Sequence, residues 1–414
     1  MDETERPTAA ASSSCSAADA DYNDNDNDYD HHRDNQSIQK IWSWGAGTDG
    51  QVGIGESKDS HTPQRLHLDH IFPSHRRHIS RISCGGAHVI ALTSCGRVMC
   101  WGRGTSGQLG HGDAENRDRP KVVEALEGVV VSGVAAGWNH SGFVSASGQL
   151  FTCGDGSFGQ LGHGDLQQYR SPLEVSFFDS LHVEQIACGM RHSLVLVKDD
   201  SGTKVYGFGY GKRGQLGVSK EKIKFYAIPQ LCQGLQRAKI VTVIANGDHS
   251  AALTADGQLY TWGRGYSGKT SDASLPCQLP SSLNFKQAAL GWNHALLLTD
   301  EGDVFMLGGY RHEILGEANS VGSVEEDLVK VPGLDGMKVI QISAGAEHSA
   351  LVTEIGEVRT WGWGEHGQLG LGDTCDRGHS QVVDLGEDGI ADSQDTTMLD
   401  CGSGFTIAVR TLSC

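Results

Sequence analysis

Six histidines occupy equivalent positions in one motif that recurs along this chain of 414 residues. Each stands at the end of a Gly-x-x-His segment or its variant, and four are followed directly by serine, a pairing that could bind a metal or activate a nucleophile. The histidines are His88, His140, His192, His249, His294 and His348, with Phe405 in a seventh copy. Successive copies lie 52, 52, 57, 45, 54 and 57 residues apart. A period near 50 residues is typical of repeat architectures.

We expect neither chemistry from these histidines. One histidine per repeat unit places the imidazoles around an axis, too far apart to share a metal ligated at about 2 Å. The serines that follow them point to the opposite face of a strand, so no nucleophile and base are paired within a copy. We predict that the imidazoles are satisfied by nearby backbone groups. The sequence therefore predicts no catalytic residue and no metal site.

A second glycine pattern resembles a dinucleotide-binding fingerprint at Gly102-x-Gly104-x-x-Gly107. A true fingerprint occurs once, after a strand and at the start of a helix. Here Gln-Leu-Gly follows without helical periodicity, and the pattern recurs at Gly45/Gly47/Gly50, Gly154/Gly156/Gly159, Gly209/Gly211/Gly214, Gly263/Gly265/Gly268 and Gly362/Gly364/Gly367. We interpret these glycines as turn residues that need positive φ or close backbone approach, and we expect no cofactor.

The elements that carry these motifs are short apolar strands separated by glycine turns, as in 88–93 and 96–102. This pattern indicates antiparallel sheets. An aromatic residue, or its replacement, followed by glycine occurs once in each of seven units: Trp44-Gly45, Trp101-Gly102, Cys153-Gly154, Phe208-Gly209, Trp262-Gly263, Leu307-Gly308 and Trp361-Gly362. Residues 40–45 read as the end of a unit and 399–410 as the start of one. We predict that the two terminal segments pair and close an all-β ring.

Composition divides the chain into a tail and one domain. Residues 1–37 contain ten acidic residues against two arginines and almost nothing apolar, so we predict a disordered acidic tail, followed by a single repeat domain over 38–414. The net charge of −18 disfavours direct nucleic-acid binding and suits a basic partner.

The sequence also suggests a compartment. It shows no signal peptide, transit peptide or apolar run of about 18 residues, so we expect nucleus or cytoplasm and no membrane. Cys84, Cys188 and Cys401 alternate with alanine or leucine at one repeat position, which predicts reduced core thiols.

The two residues between each glycine and its histidine vary from copy to copy, and we expect them in loops at one rim of the ring. Loops on a rigid scaffold are where recognition residues lie. We predict partner contacts by Trp138, Arg191, Asp248, Trp292 and Glu347. For the two tryptophans, packing over their own blade is an equally supported interpretation. The copy at Asn246-Gly247-Asp248 reads as shortened or shifted.

The segments 101–113, 153–165 and 361–373, together with the loops Ala-Gly-Trp-Asn-His-Ser and Cys-Gly-Met-Arg-His-Ser, resemble the regulator of chromosome condensation repeat family across 38–414. The resemblance implies a seven-bladed β-propeller whose closing blade is shared between the chain ends. Family members include exchange factors for the GTPase Ran, which dock on nucleosomes through a basic arm, and a plant ultraviolet-B receptor with Gly-Trp-Arg-His-Thr loops.

This chain departs from the family pattern that supports each of these two activities. Its amino-terminal arm is acidic and its repeat spacing shows no wedge-like insertion, while Asn139 and Asn293 follow the loop tryptophans where the receptor has arginine. Our leading hypothesis is a non-enzymatic interaction module that binds a protein partner, a small GTPase or a basic chromatin protein, on one rim. Guanine-nucleotide exchange is the first alternative and ultraviolet-B reception, disfavoured by the missing Trp-Arg pairs, the second. The oligomeric state is left open.

Overall fold

Seven four-stranded antiparallel sheets make up the computed structural model, which describes residues 38–68, 78–200, 202–219, 224–265, 272–309, 328–386 and 395–412. The sheets are the blades of a β-propeller, as the sequence predicted. The predicted disordered tail, 1–37, lies outside the described residues, so that expectation stays a prediction. Blades are numbered below from the one that contains the first strand.

The strands follow the chain in order around the ring. Blade 1 contains β1 (Ile38–Gly45) and β2 (Ser60–Leu66) with β27 (Thr396–Cys401) and β28 (Phe405–Leu412). Blade 2 contains β3 (Ile79–Cys84), β4 (His88–Thr93), β5 (Val98–Gly102) and β6 (Arg117–Val122), and blade 3 contains β7 (Val131–Ala136), β8 (His140–Ser145), β9 (Leu150–Gly154) and β10 (Tyr169–Glu174). Blade 4 contains β11 (His182–Cys188), β12 (His192–Asp199), β13 (Gly202–Tyr210) and β14 (Phe225–Leu231).

The second half of the ring repeats the arrangement. Blade 5 contains β15 (Ile240–Asn246), β16 (His249–Thr254), β17 (Leu259–Gly263) and β18 (Ala273–Gln278). Blade 6 contains β19 (Phe285–Leu290), β20 (His294–Thr299), β21 (Val304–Gly308) and β22 (Leu328–Lys330). Blade 7 contains β23 (Val339–Ala344), β24 (His348–Thr353), β25 (Val358–Gly362) and β26 (Arg377–Val382). Short 3₁₀ turns at Glu124–Leu126 and Ser176–Phe178 lead from blade 2 to 3 and from blade 3 to 4.

Closure of the ring is confirmed by the pairing of the chain ends. Strand β1 pairs with β28 without interruption, from Ile38 opposite Leu412 to Gly45 opposite Phe405. The indole Nε1 of buried Trp44 in blade 1 donates to the carbonyl of Gln368 in blade 7 over 2.9 Å. The terminal strands therefore leave no open edge where the ring would otherwise be interrupted.

The hydrophobic core lies between blades rather than within them. One cluster, for example, combines Ile41 and Phe405 of blade 1 with Val89 and Trp101 of blade 2. The second strand of a blade is buried along at least its first six residues, as in β4 and β8. A single blade therefore exposes most of its apolar side chains, and stability depends on stacking against its neighbours.

The Gly-x-Gly segments form turns between the third and fourth strands, which we call the outer turns. Gly102 has φ of 100°, and a Cβ on Gly104 would lie 1.9 Å from the carbonyl oxygen of Glu115. Both predicted reasons for glycine, positive φ and close approach, are confirmed. The outer turns also reach the next blade, because the carbonyl of Gln51 in blade 1 accepts from the Trp101 indole of blade 2 over 3.0 Å.

Candidate functional site

The seven loops between the first and second strands, which we call the mouth loops, surround one end of the central channel. Hydrogen bonds between their backbones link each to the next through most of the circle: Gly86 N to Gly137 O, Trp138 N to Gly189 O, Met190 N to Gly247 O, Trp292 N to Ala346 O, Ala346 N to Ser403 O and Ser403 N to Gly85 O, all between 2.8 and 3.1 Å. Blades 5 and 6 are bridged by a side chain instead, since Asn246 Nδ2 donates to the carbonyl of Leu290. This connected circle holds the variable residues on a rigid frame.

Beneath the mouth loops, five histidines pair with a hydroxyl of the following blade. The Nε2 atom of His88 lies 2.9 Å from Ser141 Oγ, and the same contact joins His140 to Ser193, His192 to Ser250, His294 to Ser349 and His348 to Thr406, at 2.9 to 3.0 Å. We call these pairs the histidine belt. The sequence predicted backbone partners for the imidazoles, whereas Nε2 of each of these five contacts a side-chain hydroxyl. These pairs cannot be recognised within one repeat, because each hydroxyl belongs to the residue that follows the histidine of the next repeat.

The belt is structural rather than nucleophilic. The Ser141 hydroxyl donates to the carbonyl of Gln108 over 2.6 Å, so it accepts from the Nε2–H of His88. Ser193 and Ser250 donate in the same way to Gln160 and Gln215. In a nucleophilic pair, the histidine accepts the proton of the serine. Here the serine donates its proton to a carbonyl and the histidine donates to the serine oxygen, so the histidine does not act as a base.

Burial also keeps these histidines neutral. Removal from water lowers the pKa of His88, His192 and His348 to about 3 and that of His140 and His294 to about 4. A buried imidazole loses solvation that only its charged form needs, which is why each pKa falls below the ordinary value near 6.5. The belt is therefore uncharged near neutral pH.

The glycine of the motif is required by the histidine three residues later. A Cβ on Gly189 would lie 2.2 Å from Cε1 of His192, so the ring packs directly against the glycine backbone. Blade 5 carries Asn246 in this slot, and its histidine is placed differently, with Nδ1 of His249 2.6 Å from Arg264 O and Nε2 2.7 Å from Trp292 O. His249 fulfils the backbone-bonding prediction with both of its ring nitrogens.

The interpretation of the blade 5 loop as shortened or shifted is confirmed. Ala245 pairs with Ser250 just as Cys188 of blade 4 pairs with Ser193, but in blade 5 the pairing continues to Asn246 opposite His249, so the loop has two residues instead of three. Gly247 simply takes the first variable position, with φ of 53°. Blade 5 therefore presents no side chain at the position where Trp138 stands in blade 3.

The two variable residues of each mouth loop face different directions. The first, such as Trp138, Met190 or Trp292, lines the mouth of the channel. The second, such as Arg191, contacts the outer turns, because its guanidinium lies over the ring of Phe158. The five predicted contact residues thus divide into an axial pair of tryptophans and three outward side chains.

Trp138 and Trp292 contact each other across the channel mouth. Their ring centroids are 5.1 Å apart with planes inclined by 43°, although blades 3 and 6 are not neighbours. Neither interpretation made from the sequence described this arrangement, since each tryptophan packs against the other rather than over its own blade alone. The pair covers one end of the channel and is half-buried.

The three outward residues differ in how far they are engaged. Asp248 accepts from Gln215 Nε2 and Glu347 from Asn293 Nδ2, each over 2.9 Å. Arg191 is exposed, and its guanidinium carbon lies 5.0 Å from the centroid of Phe158 and 5.9 Å from that of Tyr210.

Phe158 and Tyr210 were missed by the sequence reasoning. Their rings meet edge to face at 5.3 Å. The signal was available, because both stand at variable positions of the outer turns, but their contact with Arg191 depends on how blades 3 and 4 pack.

A family assignment follows from comparing this geometry with known proteins. The family model described as the RCC1-like domain matches residues 40–408, which span all seven blades and include part of each closing strand. The chain belongs to the RCC1-like domain family. The resemblance read from the repeat motifs is confirmed.

Relatives of this RCC1-like domain differ in function. It is 33% identical over 343 residues to the ultraviolet-B receptor UVR8 of Arabidopsis thaliana, covering 80% of the chain and 75% of the receptor. It is 32% identical over 365 residues to the secretion-regulating guanine nucleotide exchange factor of Bos taurus, covering 81% and 76%. The structure of Prp20p from Saccharomyces cerevisiae, described with its binding to Gsp1p and histones, aligns with a TM-score of 0.75 at 22% identity over 91% of this chain and 92% of that one. That likeness shows the fold alone.

The channel of this RCC1-like domain is a cavity of about 270 Å³ lined by the innermost strands. Asp400 is the one charged side chain among its described lining residues; it accepts from Cys84 N over 2.7 Å and from Ser343 Oγ over 3.0 Å. Burial raises the pKa of Asp400 to about 6. Cys188 and Cys401 are buried free thiols as predicted, whereas Cys84 is only partly buried.

Among the residues that the structure describes, no cluster of three or more histidine, cysteine or acidic side chains has the geometry of a metal site. Within the same ranges, no helix has the length and apolarity needed to cross a bilayer.

Proposed function

We propose that this chain is a non-enzymatic interaction module that binds a protein partner over the mouth loops. The observation that carries the proposal is the Trp138–Trp292 pair with its half-exposed rings, held beside exposed Arg191 on a hydrogen-bonded circle of backbone. Tryptophan and arginine are the side chains that most often dominate binding energy at protein interfaces. A rigid frame reduces the entropy lost when such side chains are immobilised by a partner.

The other two predicted contacts support the site in a different way. Asp248 and Glu347 are each hydrogen-bonded to an amide side chain, which fixes their carboxylates before any partner arrives. We propose that they border the contact rather than anchor it. The binding of a partner by all five residues, and residence in the nucleus or cytoplasm, stay predictions.

The test is partner capture by a triple variant. Trp138→Ala, Arg191→Ala and Trp292→Ala together should abolish capture of partners from a native extract, because they remove the axial pair and the exposed cation. A variant with three substitutions at the other end of the blades, Arg97→Ala, Lys198→Ala and Lys338→Ala, is the matched control and should capture normally. Equal capture by both variants would refute the proposal, provided that their thermal unfolding is close to that of the parent.

Guanine-nucleotide exchange on a small GTPase is the second candidate. It is supported by the 32% identity to a guanine nucleotide exchange factor over most of both chains. Release of a fluorescent nucleotide from a panel of small GTPases tests it, and no acceleration for any member discards it. We propose no light-sensing role, because Asn139 and Asn293 follow the mouth tryptophans in place of a cation.

A further inference from the structure

The top of blade 4 departs from the charge of the rest of the chain. The whole sequence carries a net charge of −18, whereas Arg191, Lys212, Arg213 and Lys224 are all exposed at this one place. Arg213 is paired with Asp272 of blade 5 over 3.3 Å. Among the described residues, the other three cations have no carboxylate in ion-pair contact. The local field here attracts an anionic group, although the chain as a whole repels one.

These cations border three aromatic side chains, Phe158, Tyr210 and Phe225. Arg191 lies over Phe158 and Tyr210, whose rings contact each other. Tyr210 at the end of β13 is the strand partner of Phe225 at the start of β14, and Gly211 N donates to Lys224 O over 2.8 Å. The set runs from the mouth of the channel to the outer edge of the blade. We call it the blade 4 patch, formed by Arg191, Lys212, Lys224, Phe158, Tyr210 and Phe225.

The outer strand of this blade lacks charged side chains, a feature it shares with β18 of blade 5. Strand β14 reads Phe-Tyr-Ala-Ile-Pro-Gln-Leu and contains no charged residue, while β6 of blade 2 contains four. Charged side chains normally protect an edge strand from association. Phe225 is 38% and Ile228 52% exposed. These two side chains therefore present apolar surface beside the cations of blade 4.

Arg191 is prepared for a carboxylate in particular. Its guanidinium lies over aromatic rings and its N–H donors have no hydrogen-bonded partner among the described residues, so the planar fork is held in place at a lower entropy loss on forming paired hydrogen bonds. A carboxylate matches that fork, and the adjacent rings suit an apolar side chain next to it.

We propose that the blade 4 patch binds an acidic segment of a partner protein that also carries an aromatic or aliphatic residue. This inference rests on the proposed function and names the chemistry of the partner at that same site. A nucleic acid fits less well, because its many phosphates would be repelled by the remaining acidic surface. A short acidic segment interacts mainly with the nearby cations, since screening confines its field to about 10 Å.

The probe is a fluorescently labelled peptide of about twelve residues, rich in Asp and Glu with one Trp at its centre. We expect binding that weakens about tenfold in an Arg191→Glu variant, a loss equivalent to about 1.4 kcal/mol, and that weakens further as NaCl is raised from about 0.05 to 0.5 M. Arg191→Lys keeps the charge but not the fork and should bind with intermediate affinity. Lys198→Glu, the same charge change at the other end of blade 4, is the control and should bind normally.

Three results would overturn the inference: no binding of the peptide, equal binding by the Arg191→Glu and Lys198→Glu variants, or tighter Arg191-dependent binding of a single-stranded oligonucleotide than of the peptide. Failure of this inference can be distinguished from failure of the proposed function. If partner capture is lost on replacing Trp138 and Trp292 but is unchanged by Arg191→Glu, the mouth loops still bind a protein, and only the acidic chemistry is wrong. Circular dichroism of each variant confirms that the propeller is intact.

Discussion

His192 and Arg191 are neighbours in the chain, yet they belong to different parts of the molecule. His192 is completely buried and pairs with Ser250 of the next blade, while Arg191 is exposed and rests on aromatic rings. The same contrast recurs around the ring between the histidine belt and the variable residues of the mouth loops. The repeat keeps the residues that join one blade to the next and varies the residues at the mouth loops, where we propose that a partner binds.

The boundary between blades 5 and 6 shows what happens when the belt is interrupted. Asn246 replaces the glycine of the motif, and Ala295 stands where a hydroxyl should meet His249. His249 instead approaches two carbonyls, and Asn246 bonds to the backbone of blade 6. The changes at Asn246 and Ala295 compensate each other. Without the motif glycine the ring of His249 takes a different position, where it no longer needs a hydroxyl from the next blade.

The largest expected effect is a loss of stability at acid pH that comes from the buried histidine belt and not from surface histidines. Since the folded pKa values of five belt histidines are near 3 or 4, the unfolded chain, with pKa values near 6.5, binds more protons as pH falls. Stability is therefore present above about pH 6.5 and is lost progressively as pH falls toward the folded values. Asp400, with its pKa raised to about 6, acts in the opposite direction but is a single group.

This is measured as the urea-unfolding free energy between pH 7.5 and 4.5. A His140→Gln variant should show a shallower decline than the parent, whereas His182→Gln, which replaces an exposed histidine, should not. A flat profile through this range would contradict the assignment of the belt as buried and neutral.

The second effect compares two tryptophans. Trp44→Ala should cost about 3–5 kcal/mol, because it removes a fully buried side chain at the closing blade together with its bond to Gln368. Trp138→Ala removes a half-buried ring and one aromatic pair, so about 1 kcal/mol is expected. Urea unfolding of the two variants checks the difference. Similar losses would mean that the Trp138–Trp292 pair, and not only ring closure, holds the propeller together.

The smallest expected effect is the difference in stability between variants of the adjacent residues His192 and Arg191. His192→Ala should destabilise by about 2 kcal/mol, since it removes a buried side chain and the donor to Ser250. Arg191→Ala should change stability by no more than about 0.5 kcal/mol, as is usual for exposed positions. Thermal unfolding of both variants measures this. A larger loss for Arg191→Ala would show that its cation–π contacts support the fold and would weaken its assignment to a partner site.

Most of the fold could be predicted from the repeat, but much less of the site. The spacing of the histidines and of Trp-Gly pairs gave the seven blades, and the two partial units gave their closure, because each depends on residues within a short stretch of chain. The contact of Arg191 with Phe158 could not be predicted, since 33 positions separate them in sequence and two blades must pack before they meet. The same holds for Ser141 and His88.

The sequence by itself determined the number of blades, the glycine turns and the positions that vary, since local spacing and backbone stereochemistry suffice for these. Only the tertiary structure decided that Trp138 meets Trp292 over the channel, that each belt histidine pairs with a hydroxyl of the following blade, and that Arg191 lies on a neighbouring blade's aromatic ring. Those contacts join residues that are far apart in the chain, and their geometry depends on how the seven sheets are arranged around one axis.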